Sequence, residues 1–586
     1  MLVDVPAVER PYDYSVPEAL VGRVEVGTMV RVPFHGRRVA GWVLDPESEP
    51  PPGVRLSPIA KVSGVGPDAD VIDLCRWASW RWAGRLPVLM RVGSPDRMLG
   101  RRPPLRPRPA TVGDADRTAV DALGGGAGVT VLRVPPDGDP TPVAIAAARL
   151  GQALIVHPSV VAADRIARSL RRTGAAVGRW PQDFAAAASG ATVVGGRAAV
   201  FAPLPALSAV VVFEEDDPGL QNESSPTWNA REVAVERARR AGVPCLLVSP
   251  CPSVVARSHA ERAALVPSGA RNGWAPLVIV DRRDEDPGRG GLFSSAFVDA
   301  ARQTARSGAR VVCVLNRTGR ARLLACRSCG TVTTCERCEA AVHLTDRLDL
   351  VCDRCGARRP SICLVCASTA LSLLRPGITR AREELEALMR EPVGVVTAST
   401  PTAEVAEQRV VIGTTAVLHR VHGAGLVAFL DVDQELLSLG YRAAEDAMRL
   451  LALAARAVGH GGGPDAPGTT RSAQRGRVLV QTRRPDHDVL QAALHGDPDR
   501  VAMAEAARRT LLGFPPAATI AVIGGAAGSA VVDALGQPPG VEVLGPDERE
   551  QWLARADDPA ALLDALASLE RPPGRLRLWV DPVRTR

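Results

Sequence analysis

Short runs of apolar, mostly β-branched residues recur through the middle of the chain, and stretches with helical spacing separate them. In the first half these runs are 129–134, 153–157, 209–213, 244–248 and 277–280. In the second half they are 311–315, 410–412, 426–430 and 478–481. Buried strands that alternate with helices are typical of parallel α/β sheets. The pattern therefore predicts two parallel α/β lobes, over residues 115–308 and 309–500.

The two ends of the chain have different patterns. Residues 24–34 and 38–44 alternate or run apolar around His35 and Gly36, and a helical pattern follows, which predicts a small β-rich domain over 1–98. Residues 99–114 are rich in arginine and proline and predict an extended linker that can contact phosphates. Residues 501–586 predict a small α+β domain. The expected fold class is therefore multidomain α/β.

The composition agrees with a folded, multidomain chain. The 586 residues are too many for one core, and the hydrophobic fraction of 46% with 23% charged residues excludes disorder along the whole length. The N-terminal residues lack the charged and apolar blocks of a signal peptide, and residues 514–532, within the longest uncharged stretch, include prolines and glycines. We expect a cytoplasmic, nucleoid-associated protein that binds no membrane.

The positive charge of the chain comes almost entirely from arginine. Of the 71 Lys and Arg residues only Lys61 is a lysine, and the formal net charge is +7. This charge is compatible with a nucleic-acid partner but does not require one. Eight thiolates with two Zn²⁺ would lower it to about +3, so that bulk charge is a weak argument for DNA.

Eight of the twelve cysteines lie within 41 residues, as four Cys-x-x-Cys pairs. Each pair presents two thiolates on a tight turn, and two such turns close one tetrahedral zinc site. Disulfides and a redox motif are the alternatives, and neither fits four repeated pairs in an intracellular chain. The spacing therefore predicts two structural zinc ions per chain. The other cysteines, Cys75, Cys245, Cys251 and Cys313, are expected in apolar cores.

The assignment of the pairs to the two sites is open on spacing alone, because neighbouring pairs or nested pairs could combine. We favour nesting, since the thirteen residues between the inner pairs are enough for a hairpin. The outer site then consists of Cys326, Cys329, Cys363 and Cys366. The inner site consists of Cys335, Cys338, Cys352 and Cys355.

Several motifs resemble the bacterial replication-restart helicase family PriA over nearly the whole chain. They are residues 10–14 (RPYDY) and 30–34 (VRVPF), 195–203 (GGRAAVFAP), 315–319 (LNRTG), the four cysteine pairs and 512–516 (LGFPP). The resemblance implies a 3′-DNA-binding domain in which Asp13 hydrogen-bonds the terminal base and Tyr12 stacks on it. It also implies that the two α/β lobes are RecA-like and that the zinc pairing is nested. Without it, Tyr12 could be a core residue and Asp13 a turn residue.

The helicase motifs of this family are altered in the chain. The phosphate loop corresponds to 134–141 (VPPDGDPT), where Pro140 occupies the lysine position, and Phe213 replaces the metal-binding aspartate. Glu214 and Glu215 are then expected at a solvated strand end, and the elements at 248–253, 413–422 and 453–460 also depart from the family. We therefore expect a pseudo-helicase that is not an enzyme and does not use ATP.

Binding is then the expected function. The favoured hypothesis is a scaffold that binds fork and single-stranded DNA and recruits primosome or replicative-helicase proteins. The alternatives are an active ATP-dependent 3′→5′ DNA helicase with a divergent nucleotide site and a zinc-ribbon adapter without DNA affinity. Ser57 stands where the family has a phosphate-binding lysine, and Arg31, Arg37 and Arg38 could replace its charge. Trp228 is expected either in a DNA-binding loop or in the core.

Overall fold

The computed structural model describes most of the chain, namely residues 1–8, 10–48, 53–265, 273–285, 291–315, 324–337, 340–345, 349–352, 355–373, 378–396, 400, 408–458 and 476–583. These residues divide into two compact units. The first unit contains the N-terminal region, one parallel sheet and the C-terminal region. The second unit contains another parallel sheet and the cysteine-rich insertion.

The N-terminal region is a four-stranded antiparallel sheet followed by two helices. Its strands, in the spatial order β1-β3-β2-β4, are β1 (Leu2–Val3), β2 (Met29–Phe34), β3 (Arg37–Trp42) and β4 (Lys61–Gly64). The helices are α1 (Ala69–Arg81) and α2 (Leu86–Val92). His35 and Gly36 join β2 to β3 and both have positive φ, as a two-residue hairpin turn requires. The predicted β-rich start of the chain is observed, and helix α1 begins at an Asp68 cap.

The first parallel sheet has seven strands in the order β11-β5-β10-β9-β6-β8-β7. The strands are β5 (Gly128–Arg133), β6 (Gln152–Val156), β7 (Val177–Trp180), β8 (Thr192–Gly195), β9 (Leu207–Phe213), β10 (Pro244–Ser249) and β11 (Arg262–Leu265). The helices are α3 (Arg117–Gly124), α4 (Thr141–Arg149), α5 (Val160–Arg172), α6 (Phe184–Ala188), α7 (Ala230–Ala241) and α8 (Val254–His259). Strands β6 and β10 are buried along their whole length, which explains their uninterrupted apolar sequences.

The second parallel sheet has six strands in the order β12-β22-β21-β13-β20-β19. The strands are β12 (Leu277–Asp281), β13 (Val311–Val314), β19 (Val393–Val396), β20 (Val410–Gly413), β21 (Leu426–Phe429) and β22 (Arg477–Thr482). The helices of this unit include α9 (Ser295–Arg306), α10 (Ile378–Met389), α11 (Asp433–Leu436), α12 (Ala443–Val458) and α13 (Asp488–His495). Strand β12 pairs with β22, so the segment that the sequence analysis placed in the first lobe belongs to the second sheet.

The cysteine-rich insertion lies between β13 and α10 and consists of short antiparallel pairs. Its strands are β14 (Leu324–Cys326), β15 (His343–Leu344), β16 (Asp349–Val351), β17 (Arg358–Pro360) and β18 (Leu371–Leu373). Strand β14 pairs with β18, and β15, β16 and β17 form a three-stranded sheet. The pairing of β14 with β18 thus joins the two ends of the insertion, and the three-stranded sheet forms its middle part.

The C-terminal region is a four-stranded antiparallel sheet with helices, in the strand order β24-β25-β23-β26. Helix α14 (Pro498–Leu512) precedes this region along the chain, and its first ten residues belong to the second unit. The elements of the region are β23 (Thr519–Gly524), α15 (Gly528–Leu535), β24 (Glu542–Leu544), β25 (Trp552–Ala556), α16 (Pro559–Ser568) and β26 (Arg577–Val580). The indole of Trp80 in α1 donates to Asp564 in α16 at 2.7 Å. Arg81 pairs with Asp581 just after β26. These contacts join the two ends of the chain within the first unit.

The multidomain α/β class predicted from the sequence is confirmed by this architecture. Among the described helices, none combines the length and the apolar character that crossing a membrane demands.

Candidate functional site

The predicted DNA-contacting residues lie at one end of the N-terminal sheet. Asp13 is exposed. Tyr12 is half-buried and so does not lie in the core, where the alternative interpretation of the sequence placed it. The ring of Tyr12 packs edge-on against Phe34, with ring centroids 5.3 Å apart. The Arg10 guanidinium lies 5.4 Å from the centre of the Tyr12 ring. An aromatic ring and a carboxylate are thus presented side by side at the surface.

The backbone fixes this pair of side chains in place. The Tyr12 N–H donates to the carbonyl of Met1 at 2.8 Å, and the hydroxyl of Tyr14 donates to the carbonyl of Pro33 in β2 at 3.1 Å. The Asp13 carboxylate accepts a 3.1 Å hydrogen bond from the hydroxyl of Ser48. Because a carboxylate has two acceptor oxygens and this one is exposed, Asp13 can accept further hydrogen bonds from a ligand.

Basic residues lie on the sheet next to this pair. Arg31 in β2 is the cross-strand neighbour of Lys61 in β4, and both are exposed. Arg37 and Arg38, which open β3 after the hairpin turn, are also exposed. Ser57, at the position of the family's lysine, carries no charge. The sheet therefore offers positive charge from β2, β3 and β4, where a phosphate backbone could be attracted.

The outer cysteine cluster consists of Cys326, Cys329, Cys363 and Cys366, whose sulfur atoms all lie within 4.8 Å of one another. The sulfur of Cys326 is 3.5 Å from that of Cys366, and the sulfur of Cys329 is 3.5 Å from that of Cys363. The pairing of β14 with β18 brings the two Cys-x-x-Cys turns together. Four sulfur atoms at these distances can surround one metal ion.

Backbone N–H groups at the first turn favour the thiolate form of the outer cluster. Burial raises the pKa of Cys326, but the N–H groups of Cys329 and Ser328 outweigh it and lower that pKa to about 6. The Ser328 N–H lies 3.4 Å from the Cys326 sulfur. Although the Ser368 N–H favours the thiolate of Cys366, the neighbouring Cys329 and Cys326 raise its pKa to about 12. A divalent cation would relieve this repulsion, because metals bind the thiolate form.

The inner cluster contains Cys335, Cys352 and Cys355, whose sulfur atoms also lie within 4.8 Å of one another. The sulfur atoms of Cys335 and Cys355 are 3.4 Å apart. The fourth predicted ligand, Cys338, lies outside the described residues. The two clusters, one of four and one of three described cysteines, are compatible with zinc binding.

An arginine attaches the outer cluster to the second sheet. Arg483, just after β22, donates through Nη1 to the carbonyl of Gly330 at 3.0 Å and through Nη2 to the carbonyl of Glu285 at 2.9 Å. In addition, the Ala341 N–H in the insertion donates a hydrogen bond to the carbonyl of Leu437. The insertion is thus held on its unit by hydrogen bonds to carbonyls, which do not depend on a metal.

In the loop at the phosphate-loop position, one of the loop's own side chains, Asp139, forms a hydrogen bond with a backbone N–H at the start of α4. The carboxylate of Asp139 accepts a 2.9 Å hydrogen bond from the Thr141 N–H at the start of α4. This N–H group is one of those that a helix start leaves without a partner in its own backbone. Pro140, which the sequence analysis aligned with the lysine of the family motif, is the residue before α4.

Glu215 is buried, although the sequence analysis expected a solvated strand end. It follows β9, is 1% exposed and accepts hydrogen bonds from the Ser253 N–H at 2.7 Å and the Ser253 hydroxyl at 2.8 Å. Arg231, 5% exposed, donates to the same carboxylate at 3.1 Å. The reason for the difference is tertiary: β10 and the starts of α7 and α8 bring partners over the end of β9.

A second carboxylate, that of Glu232, interacts with Arg231 beside the buried Glu215. Arg231 also pairs with Glu232 at 2.9 Å, and His259 Nε2 lies 2.8 Å from Glu232 Oε2. Burial raises the pKa of Glu232, but the neighbouring His259, Arg231 and Arg81 outweigh it and lower that pKa well below its usual range. Sequence reasoning did not find Arg231 or His259. The local signal for this group in the sequence was that the polar residues Asn229 and Ser253 cap the starts of α7 and α8.

Trp228 belongs to the core of the first unit. It is 3% exposed and packs edge-on against Phe201, with ring centroids 5.1 Å apart. Of the two interpretations of this residue, the structure therefore supports core packing.

Comparison with known proteins finds relatives of the N-terminal region and of nearly the whole chain. Residues 1–95 match the family described as the 3′DNA-binding domain (3′BD) of PriA. The chain is 29% identical to "Probable replication restart protein PriA" of Mycobacterium leprae, across 94% of this chain and 92% of that one. It is 28% identical to the Mycobacterium tuberculosis protein of the same name, across 98% and 91%. A match to "Replication restart protein PriA" of Treponema pallidum is 31% identical and covers 55% and 50%.

Solved structures with similar folds show low overall similarity. One is a single-substitution variant of Saccharomyces cerevisiae Dbp5 bound to RNA and ADP BeF3, with a TM-score of 0.36, 9% identity and coverage of 68% of this chain and 94% of that chain. Another is the DUF1998 helicase MrfA bound to DNA, with a TM-score of 0.34, 12% identity and coverage of 67% and 55%.

The expectation that the chain is not an enzyme is wrong. PriA is a family of DNA helicases, and the match to PriA proteins covers 94% of the chain, well beyond the DNA-binding domain. The expectation rested on altered residues in the short helicase motifs. Both parallel sheets, one of seven strands and one of six, are nevertheless present. Changes in short motifs therefore do not exclude the activity of the family.

The predicted resemblance is confirmed by two comparisons. One recognises the first 95 residues as a 3′ DNA-binding domain, and the other aligns nearly all of the chain with replication restart proteins. The two parallel sheets and the two cysteine clusters agree with both. The first 95 residues thus match the 3′ DNA-binding domain of PriA, and nearly the whole chain is similar to replication restart proteins named PriA.

Proposed function

We propose that the protein acts in replication restart by binding forked DNA with a free 3′ end and by recruiting other replication proteins to it. The observation that carries this proposal is the exposed Asp13 beside the half-buried Tyr12, within the matched 3′ DNA-binding domain. The Asp13 carboxylate would accept hydrogen bonds from the terminal nucleotide, and the Tyr12 ring would stack on its base. Arg31, Arg38 and Lys61 would attract the adjoining phosphates.

The proposal includes two zinc ions per chain. Cys326, Cys329, Cys363 and Cys366 would hold one ion, and Cys335, Cys352 and Cys355 with Cys338 would hold the other. A site with four thiolate ligands has no open position, so both ions would be structural and would stabilise the insertion. The insertion would then offer a rigid surface to protein partners.

We expect Asp13→Ala to weaken binding to a fork with a free 3′ hydroxyl by about 10- to 100-fold, because hydrogen bonds to a charged group contribute about 1.5–3 kcal/mol. Affinity for the same fork blocked by a 3′ phosphate should stay unchanged. Fluorescence anisotropy at fixed salt measures both. Glu18→Ala, which removes another exposed acid of the same domain, serves as the control. Equal loss of affinity for both forks, or none, would refute the proposed role of Asp13.

A second candidate function is an ATP-dependent 3′→5′ DNA helicase whose nucleotide site differs from the phosphate-loop motif. The two parallel sheets and the match to PriA proteins across them favour it. Its test is ATP hydrolysis by zinc-replete protein with and without single-stranded DNA. DNA-stimulated turnover that an Asp137→Ala/Pro140→Ala variant loses would establish the site, and turnover that the variant retains would locate it elsewhere.

A further inference from the structure

Helix α5 carries a row of arginines along its outer face. Arg165, Arg168 and Arg172 are spaced by three and four residues, so that they lie on one side of the helix, and all three are exposed. The opposite side is apolar and buried through Ala163, Ile166, Ala167 and Leu170. The helix therefore uses one face for packing against the first sheet and leaves the arginine face uncovered.

The arginine- and proline-rich linker extends this row. The carbonyl of Arg108 accepts from the Ala176 N–H at 3.0 Å, and the Thr111 N–H donates to the carbonyl of Thr173, the residue after α5, at 3.0 Å. The Arg106 N–H donates to the Ser189 carbonyl at 2.7 Å. The linker thus passes the end of α5, and the side chains of Arg106 and Arg108 are exposed. We call Arg106, Arg108, Arg165, Arg168 and Arg172 the arginine ridge.

The acids on the same elements do not neutralise the ridge. Asp164 in α5 pairs with Arg179 at 2.8 Å. Asp183 accepts from the Arg179 N–H at 2.9 Å and lies 3.9 Å from Arg171, which is outside the ridge. Asp114 is exposed on the linker beyond Thr111. Among the described residues, no side-chain ion pair involves a ridge arginine, so five positive charges remain available.

We propose that the arginine ridge binds the phosphate backbone of a double-stranded arm of the DNA. This inference rests on the proposed function for the DNA itself but concerns a different surface. Arginine suits phosphate because its planar fork can make two hydrogen bonds to one group. Arg165 and Arg172 are about 10 Å apart along the helix axis, a length over which one DNA strand carries about three phosphates. The linker connects this surface to the DNA-binding domain, since Arg102 near its start pairs with Asp68.

The test compares a triple variant, R165Q/R168Q/R172Q, with the unchanged protein on a duplex whose two ends are closed by hairpin loops. Such a duplex offers no 3′ end to Asp13. Three lost phosphate contacts should reduce the slope of log affinity against log salt by about 2.7. Glutamine retains the helical preference of α5. The matched control is R117Q/R575Q/R577Q, which removes three exposed arginines from elsewhere in the first unit.

The outcomes separate the two proposals. The ridge is supported as a duplex site if the slope of log affinity against log salt on the closed duplex is smaller in the triple variant but not in the control. The triple variant should also retain the preference for a free 3′ hydroxyl. An unchanged slope overturns the proposal, whatever Asp13→Ala does. If the triple variant keeps the slope on the closed duplex but loses binding to a fluorescent polyglutamate peptide, the proposal is also overturned. The ridge would then be assigned to the binding of an acidic protein segment. Loss of the 3′ preference in Asp13→Ala alone tests only the proposed function.

Discussion

Replacing Cys363 by alanine is expected to lower the zinc content from about two ions to about one per chain. Cys363 is 4% exposed and its sulfur lies 3.5 Å from that of Cys329, so the change removes one of the four sulfur atoms of the outer cluster. Binding of a structural zinc contributes about 10–16 kcal/mol in small zinc domains, and this free energy is coupled to folding. The insertion should therefore lose its order while the sheets remain folded.

Metal analysis of purified protein measures the first effect, and limited proteolysis within residues 324–373 measures the second. Cys313→Ala is the matched control, because Cys313 is a buried cysteine of β13 that belongs to neither cluster. The control should keep both ions. If the Cys363 variant also kept two ions, or if the unchanged protein contained none after zinc supplementation, the assignment of the outer cluster would fall.

Replacing Arg231 by alanine is expected to destabilise the first unit by about 3–5 kcal/mol, because the change removes one partner of a buried ion pair and leaves the buried Glu215 carboxylate without it. Glu215 has no exposed side-chain surface, and Arg231 has 6%. The hydrogen bonds from Ser253 would remain but cannot replace a full positive charge. This is the largest effect on stability that we expect from a single change in the first unit.

Urea unfolding followed by tryptophan fluorescence measures this change, since Trp180 and Trp228 lie in the core of that unit. The double variant Arg231→Ala/Glu215→Gln should recover part of the loss, because the buried charge is then absent. Arg240→Ala, at the exposed end of the same helix, should cost no more than about 1 kcal/mol. Equal losses for Arg231→Ala and Arg240→Ala would contradict the buried pairing.

The regular elements followed closely from local patterns. The apolar runs predicted most of the central strands, and the turn at His35 and Gly36 was visible as a break between two alternating segments. The strands that were missed, such as β7, β8 and β19, are four residues long, and glycine occurs within or at the end of each. So short a run carries little periodicity, and its pairing with longer neighbours is what makes it a strand.

Sheet membership could not be predicted in the same way. Strand β12 has the same apolar pattern as the strands before it, and nothing within it shows that it pairs with β22, about 200 residues later. Parallel strands need long crossover connections, so their partners are chosen by contacts distant in sequence. The boundary between the two sheets therefore emerged only from the structure.

The sequence by itself determined the α/β character, the four Cys-x-x-Cys pairs, and the resemblance to PriA through motifs spread along the chain. These features depend on spacing and residue type, which are local properties. Only the tertiary structure decided that Cys326 and Cys329 approach Cys363 and Cys366, that Glu215 is buried against Arg231 and Ser253, and that the linker continues the arginine row of α5. Each of these depends on residues far apart in sequence that packing brings together, and burial then changes what a charge or a thiol can do.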